Sequence, residues 1–356
     1  MKRWDTFAAL CGHLRAGLLG GAPPDPVADI HWELLIEASS HHFVTPALAW
    51  CLRGQIGIPS EVRDYFDATL TLNDRRNKHL LEALARTVAA LNAIDIEPLL
   101  LKGAARLVDG VYPAAKLRLL GDIDVLIPGD RSADAASALK HIGFGEGAEN
   151  ELEAGHHHLP MLRERDTGAG VELHTELTKP PHQTIISAAW FSQNTRSFKL
   201  QDLWVRLPDP TRSVAHNIVH DQLNNGNYQL GRVQLRQLLD LAMLRARHEN
   251  TIDWAELDHR FCSVGKGAVL ATYLEFAEVL LGQPAPDLSH TARPRALADF
   301  RRRIDLPALR ALADLRMQVD DVLARRDHPV GVLKKLISPR TWSTGIQLVK
   351  AAISRW

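Results

Sequence analysis

The stretch that decides the fold is Gly121-Asp122-Ile123-Asp124-Val125-Leu126-Ile127, an apolar run interrupted by two acidic residues. Alternate side chains of a β-strand lie on the same face, so Asp122 and Asp124 share one face and the aliphatic residues take the other. Neighbouring carboxylates repel each other unless a proton or a cation lies between them, and carboxylate oxygens suit Mg²⁺. The stretch therefore predicts a strand with an acidic, metal-binding face. The alternative is a solvated strand end with two exposed acids.

A later segment carries a third acid. Glu172 and His174 alternate with apolar residues in Val171-Glu-Leu-His-Thr-Glu-Leu177, so they share the polar face of a second strand. A carboxylate beside the first two would complete a site for two metal ions. Such ions lie roughly 3.5–4 Å apart and hold the attacking and leaving oxygens of a phosphoryl displacement.

Cationic residues precede the acids. Lys102 and Gly103 end the apolar run that begins at Pro98, which is typical of a short buried strand. Glycine permits close approach of a phosphate and lysine supplies charge. Arg118, four residues before Asp122, adds a second cation. The alternative for Lys102 is a strand-end lysine that reaches solvent.

The surrounding patterns predict an α+β fold. Residues 97–178 read as strand, strand, helix and a two-stranded hairpin, and they form a small mixed sheet with the acids on an exposed edge. Helical spacing dominates before residue 95 and after residue 208. We expect an N-terminal helical region at 1–95, a core at 96–205 and a C-terminal helical domain at 206–356.

Several of these segments together resemble one protein family. LLLKGAARL (99–107), YPAAKLRLLGDIDVLI (112–127), HHHLPML (156–162), VELHTEL (171–177) and LRQLLDLAML (235–244) are similar to the bacterial "uncharacterised nucleotidyltransferase" family. This family belongs to the DNA-polymerase-beta-like nucleotidyltransferase superfamily. Lys102-Gly103 departs from the Gly-Ser of the wider superfamily but matches the narrower family. Thr175 stands where a tryptophan is frequent, which affects the lining on the acceptor side.

The resemblance implies Mg²⁺-dependent transfer of a nucleotide from an NTP to an acceptor, with release of pyrophosphate. Two Mg²⁺ ions are expected, with Mn²⁺ as the alternative. The implied catalytic residues and metal ligands are Asp122, Asp124 and Glu172. The implied nucleotide-binding residues are Lys102, Gly103, Arg118 and Gly121. The implied substrate-side residues are His158, His174, His220, Arg236 and Asp240.

Two other functions stay open. One is a nucleotide-binding or regulatory protein that has lost turnover, against which the intact acids argue. The other is a metal-dependent hydrolase that uses histidines, since His156, His158 and His174 suit Zn²⁺. For the histidines before the hairpin, substrate contact is the favoured interpretation, followed by an exposed cluster and then a metal site. The acceptor is a small molecule, a sugar, a peptide or protein hydroxyl, or an RNA end.

Composition limits the remaining classes. Lys+Arg and Asp+Glu each number 42, so no net charge attracts the chain to nucleic acid. The three cysteines, far apart, favour reduced thiols in a cytoplasmic protein. No apolar run reaches the roughly 18 residues of a membrane span. Residues 328–356 are basic with apolar stripes, and we expect them to pack on the protein rather than bind an anionic membrane.

Overall fold

The computed structural model describes residues 3–22, 30–146 and 157–306. The chain begins with helices α1 (Arg3–Leu19), α2 (Trp32–His41), α3 (Thr45–Leu52) and α4 (Ser60–Asn92). The middle contains β1 (Leu99–Leu100), α5 (Lys102–Val108), β2 (Ile123–Leu126), α6 (Ser132–His141), β3 (Phe144–Glu146), β4 (Leu162–Glu164) and β5 (Gly170–His174). Next come α7 (Ala188–Gln193), β6 (Thr195–Leu200), β7 (Leu203–Pro208) and α8 (Pro210–Ile218). After a π-helical turn at Val219–Asn224, the described chain ends with α9 (Asn227–Leu230), α10 (Leu235–His248), α11 (Trp254–Ser263), α12 (Gly267–Leu281) and α13 (Ala296–Asp305).

The strands form one mixed sheet in the order β3-β4-β5-β2-β1-β7-β6. The central strand β2 pairs with β5 in parallel and with β1 in antiparallel fashion. Strands β4 and β5 form the predicted hairpin, because they are antiparallel neighbours on either side of a glycine-containing turn. The predicted α+β class is therefore confirmed.

One local prediction is wrong, and one hairpin is missing from the predictions. The strand expected to end at Gly103 stops at Leu100, and Lys102 begins α5, where Ala104 and Ala105 are buried against the sheet. The hairpin of β6 and β7 was not predicted, because β6 is an edge strand whose side chains are mostly exposed and show no apolar alternation. Strand β7 continues to Pro208, across the boundary expected at residue 205.

Two apolar cores lie on opposite sides of β2. Ile123 and Val125 belong to the core between the sheet and helices α4 and α6. Leu126 belongs to the other core, in which α1 packs with α10 and α12. Because side chains alternate along β2, the acidic face is directed towards the helices of this second core. The two sequence-distant helical regions thus share one core, while the three-part domain division stays a prediction.

Within the described part of the chain, no helix combines the length and the apolar character needed to cross a bilayer. His156 and the basic segment 328–356 lie outside the described residues.

Candidate active site

The parallel register of β2 and β5 brings the acids together. Asp124 lies opposite Glu172, and Leu126 lies opposite His174. Because Glu172 and His174 are two residues apart, both share a face with Asp124. His174 Nε2 lies 2.9 Å from Asp124 Oδ1 and 3.4 Å from Glu172 Oε2. One ligand atom from each of the three residues lies within 4.8 Å of the others.

Burial distinguishes the two aspartates. Asp124 is only 2% exposed, so the expectation of acids on an exposed edge is wrong for this residue. The reason is that β2 is a central strand covered by helices. Asp122 precedes β2, is half-buried and lies outside the group formed by Asp124, Glu172 and His174.

Lys102 supplies a positive charge inside this group. Its Nζ lies 2.6 Å from Asp124 Oδ1 and 4.0 Å from Glu172 Oε2. Lys102 adopts a φ of +43°, a left-handed conformation that is costly for a residue with a Cβ. Burial lowers the pKa of Lys102, but Asp124 and Glu172 outweigh burial, so this pKa lies above its ordinary value. The lysine is therefore a fixed ammonium ion.

The neighbouring groups also hold shifted pKa values. Burial alone would raise the pKa of Asp124, but Lys102 and the hydrogen bond from His174 hold it well below its ordinary value. Burial lowers the pKa of His174, but its hydrogen bonds to Asp124 and Glu172 outweigh this effect and raise it. Burial and the nearby carboxylates of Asp124 and Glu172 raise the pKa of Asp122 to about 6. Repulsion between the carboxylates therefore contributes to the raised pKa of Asp122, whereas Lys102 and His174 offset that repulsion at Asp124.

Arg118 and Asp240 form a buried ion pair. Arg118 Nη2 donates to Asp240 Oδ2 at 2.8 Å, and Arg118 Nε donates to Oδ1 at 2.9 Å. The hydroxyl of Tyr112 donates to the same Oδ1 at 2.7 Å. Gly103 lies directly against this guanidinium, because a Cβ on Gly103 would come within 2.9 Å of Arg118 Cζ. In this structure Gly103 therefore makes room for Arg118.

Sequence reasoning missed three residues of α4 that hold the loop before the acidic strand. Asn73 Nδ2 and Asn77 Nδ2 both donate to the Arg118 carbonyl, at 3.3 and 2.8 Å. Arg76 Nε donates to the Leu120 carbonyl at 2.8 Å. The available signal was the pair of asparagines four residues apart on an amphipathic helix, since amides are unusual on a buried face.

The remaining predicted residues surround this group. His158 is half-buried, its ring centroid lies 5.1 Å from that of His174, and burial lowers its pKa. The π-helical turn carries His220, whose pKa burial lowers to about 3, and whose Nδ1 lies 3.3 Å from Gln237 Nε2. Arg236 is half-buried at the start of α10. His174 itself is 0% exposed, so its contacts are with the acids rather than with solvent.

The donor set fits a divalent cation. Two carboxylates and one imidazole converge, and the Lys102 ammonium lies beside the acids. The arrangement can therefore place positive charge beside a chain of phosphate groups. Gly121 leaves open space beside the acids, because no other atom lies within 4 Å of the position of a Cβ.

Two of three comparisons with known proteins give a match. Residues 28–282 match the family model described as "Uncharacterised nucleotidyltransferase". A crystal structure of an antigenic nucleotidyltransferase-like protein from Paracoccidioides brasiliensis is similar at 16% identity and a TM-score of 0.33, covering 60% of this chain and 94% of that chain. A search of curated proteins finds no match.

Proposed function

The chain belongs to the family of uncharacterised nucleotidyltransferases, and from this premise we propose that it transfers a nucleoside monophosphate from an NTP to an acceptor hydroxyl in an Mg²⁺-dependent reaction. The observation that carries the proposal is the alignment of Asp124 with Glu172 on adjacent parallel strands. It converts two acids that are 48 positions apart in the printed sequence into one cation-binding group. The family assignment confirms the predicted nucleotidyltransferase class.

Asp124 and Glu172 are the residues that would hold a metal ion, with the half-buried Asp122 as a third carboxylate beside them. When bound, Mg²⁺, or Mn²⁺ as the alternative, neutralises charge on the phosphoryl oxygens. Among the described residues the converging ligand atoms form one cluster, so the predicted second ion stays a prediction that depends on Asp122. His174 orients Asp124 through its hydrogen bond.

The cationic side chains have separate tasks in this proposal. Lys102 neutralises the charge of Asp124. Its ammonium ion also contacts phosphate oxygens at this position. Arg236 is the arginine proposed to contact the triphosphate, because Arg118 is already bound by both oxygens of Asp240. Arg118 then acts by positioning the loop before Asp122. Phosphoryl transfer requires little covalent chemistry from the protein, so positioning and charge neutralisation supply most of the rate increase.

The test follows the fate of two different phosphates. The purified protein is incubated with Mg²⁺, a desalted cell extract as the source of acceptors, and an NTP labelled with ³²P on either the α- or the γ-phosphate. Nucleotidyl transfer places the α-label on an acceptor and releases the γ-label as pyrophosphate. Transfer of the γ-label would indicate a phosphotransferase and contradict the proposal.

A matched pair of variants controls the experiment. Asp122→Asn should abolish transfer of the α-label, whereas Asp134→Asn, on the exposed surface of α6, should retain it. Calorimetry with ATP, GTP, CTP and UTP should detect binding with Mg²⁺ and much weaker binding in EDTA. Equal binding in EDTA would count against the acidic site. A nucleotide-binding protein without turnover would bind NTPs but transfer no label, and a histidine-metal hydrolase would depend on Zn²⁺.

A further inference from the structure

An exposed aromatic ring lies at the turn between α2 and α3. Phe43 is 47% exposed and has a φ of +56°, a conformation that is an outlier for a bulky residue. The turn is closed by backbone hydrogen bonds, from Phe43 N to the Ser40 carbonyl at 3.1 Å and from Val44 N to the Ser39 carbonyl at 2.9 Å. Such a backbone persists only where the surroundings determine it, and functional sites are frequent among those places.

The turn is attached to the first residues of α10. The Leu235 backbone N–H donates to His42 Nδ1 at 3.2 Å. The side-chain amide of Gln234 donates to the His41 carbonyl at 3.3 Å. These contacts join segments that are 193 residues apart, and they hold the Phe43 ring beside the start of α10.

Phe43 is next to a cationic side chain of α10. The guanidinium carbon of Arg236 lies 5.2 Å from the centroid of the Phe43 ring. The buried Nε of Arg236 has no hydrogen-bond partner among the described residues. Arg236 is also close enough to Asp122 for their charges to interact. Arg236 thus contacts the Phe43 ring and interacts with the charge of Asp122.

We propose that Phe43 is the platform on which the base of the nucleoside triphosphate stacks while Arg236 contacts the phosphates. This inference rests on the proposed function, because it assigns the base-binding part of the same site. A nucleotide places a flat aromatic base at one end of an anionic chain, and the pair of Phe43 and Arg236 offers the complementary groups. Every base has a π-face, so stacking of this kind tolerates different bases. The site therefore takes NTPs as a class.

The experiment separates the base from the phosphates. Affinities for ATP and for inorganic tripolyphosphate are measured by calorimetry in Mg²⁺. Phe43→Asn removes the ring, and asparagine tolerates the left-handed backbone, so the turn is retained. We expect this variant to bind ATP about 10-fold more weakly, as for loss of a stacked base, and to bind tripolyphosphate as the unmodified protein does.

Two further variants complete the comparison. Phe43→Tyr retains an aromatic ring and should restore the affinity for ATP. Ile56→Ala removes an apolar side chain that is 94% exposed and should change neither affinity. Equal ATP affinity in Phe43→Asn and the unmodified protein would overturn the stacking role, as would parallel losses for ATP and tripolyphosphate. Failure of the unmodified protein to bind any NTP would instead overturn the proposed function and the platform with it.

Discussion

Arg118 and Asp240 are 122 residues apart in sequence, yet the guanidinium of the first donates to both carboxylate oxygens of the second. Their side chains are 4% and 2% exposed, so each charge depends on the other for solvation. This pair joins the loop before the acidic strand to α10, which also carries Arg236. It therefore links the acidic group of the candidate site to its proposed phosphate-binding side.

Loss of one partner of this pair should strongly destabilise the fold. Asp240→Asn leaves a buried guanidinium without its counter-charge, and removal of one partner of a buried pair costs about 3–5 kcal/mol. Chemical denaturation measures the free energy of unfolding. The control is Asp134→Asn, which breaks the more exposed pair with Arg131 and should cost under about 1 kcal/mol. Equal losses in the two variants would show that the buried pair does not hold the fold together.

The two glycines of the site should respond differently to alanine. Gly103→Ala brings a Cβ against Arg118 and Leu120, so we expect a loss of about 1–3 kcal/mol from overpacking, although alanine usually favours a helix. Gly121→Ala meets no atom within 4 Å and should leave the melting temperature nearly unchanged. If Gly121 borders the phosphates, as the sequence predicts, its variant should lose nucleotide affinity. Unaltered stability of Gly103→Ala would contradict the close packing.

Asp122 and Asp124 should also have opposite effects on the free energy of unfolding as pH changes. Because the pKa of Asp122 is raised to about 6 in the folded state, the folded protein binds more protons than the unfolded chain between about pH 4 and pH 6. Stability due to this group therefore falls as pH rises through that window. Asp122→Asn should relieve a cost of about 1–2 kcal/mol above pH 6, allowing for solvent screening of a half-buried group.

Asp124→Asn should behave in the opposite way. The pKa of Asp124 is depressed, so its stabilisation is present above the unfolded value and is lost as pH falls through the folded one. At neutral pH the variant leaves Lys102 without its nearest carboxylate, and a loss of about 2–3 kcal/mol is expected. Melting temperatures from pH 3.5 to 8 in EDTA measure both variants. Two variants with the same sign at pH 7 would contradict this assignment.

Local pattern predicted the acidic group because its geometry follows from strand periodicity. Asp124 and Glu172 needed only alternation and a shared sheet, and the register of β2 and β5 supplied the rest, whereas Asp122 lies outside the group of converging ligand atoms. The resemblance added Arg236 and Asp240, whose segment is far from the acids in sequence. The exposure of Asp124 could not be predicted in the same way, because it depends on which helices cover β2.

The tasks of the arginines and of Phe43 depend on contacts between distant segments. Proximity in sequence places Arg118 near the acids but does not reveal that its guanidinium is paired with Asp240. Phe43 follows two histidines in a short turn, and only the docking of that turn on α10 brings its ring to Arg236. The chemical type of a side chain can be recognised in a sequence, whereas its interaction partner depends on tertiary packing.

A buried histidine should make the protein sensitive to acid. His216 of α8 is 3% exposed, packs against Phe191 and has an Nε2 without a hydrogen-bond partner among the described residues. Burial and the neighbouring His220 hold the pKa of His216 well below its ordinary value. The unfolded chain therefore takes up a proton below about pH 6.5 that the folded protein does not, and stability falls as pH decreases.

His216→Leu removes this proton uptake, so its stability relative to the unmodified protein should improve by about 2 kcal/mol between pH 7 and pH 5. Urea denaturation at the two pH values measures the difference, with His259→Leu, at an exposed position of α11, as the control for a surface substitution. Parallel pH profiles of His216→Leu and the unmodified protein would mean that His216 is protonated in the fold, with a counter-charge beside it.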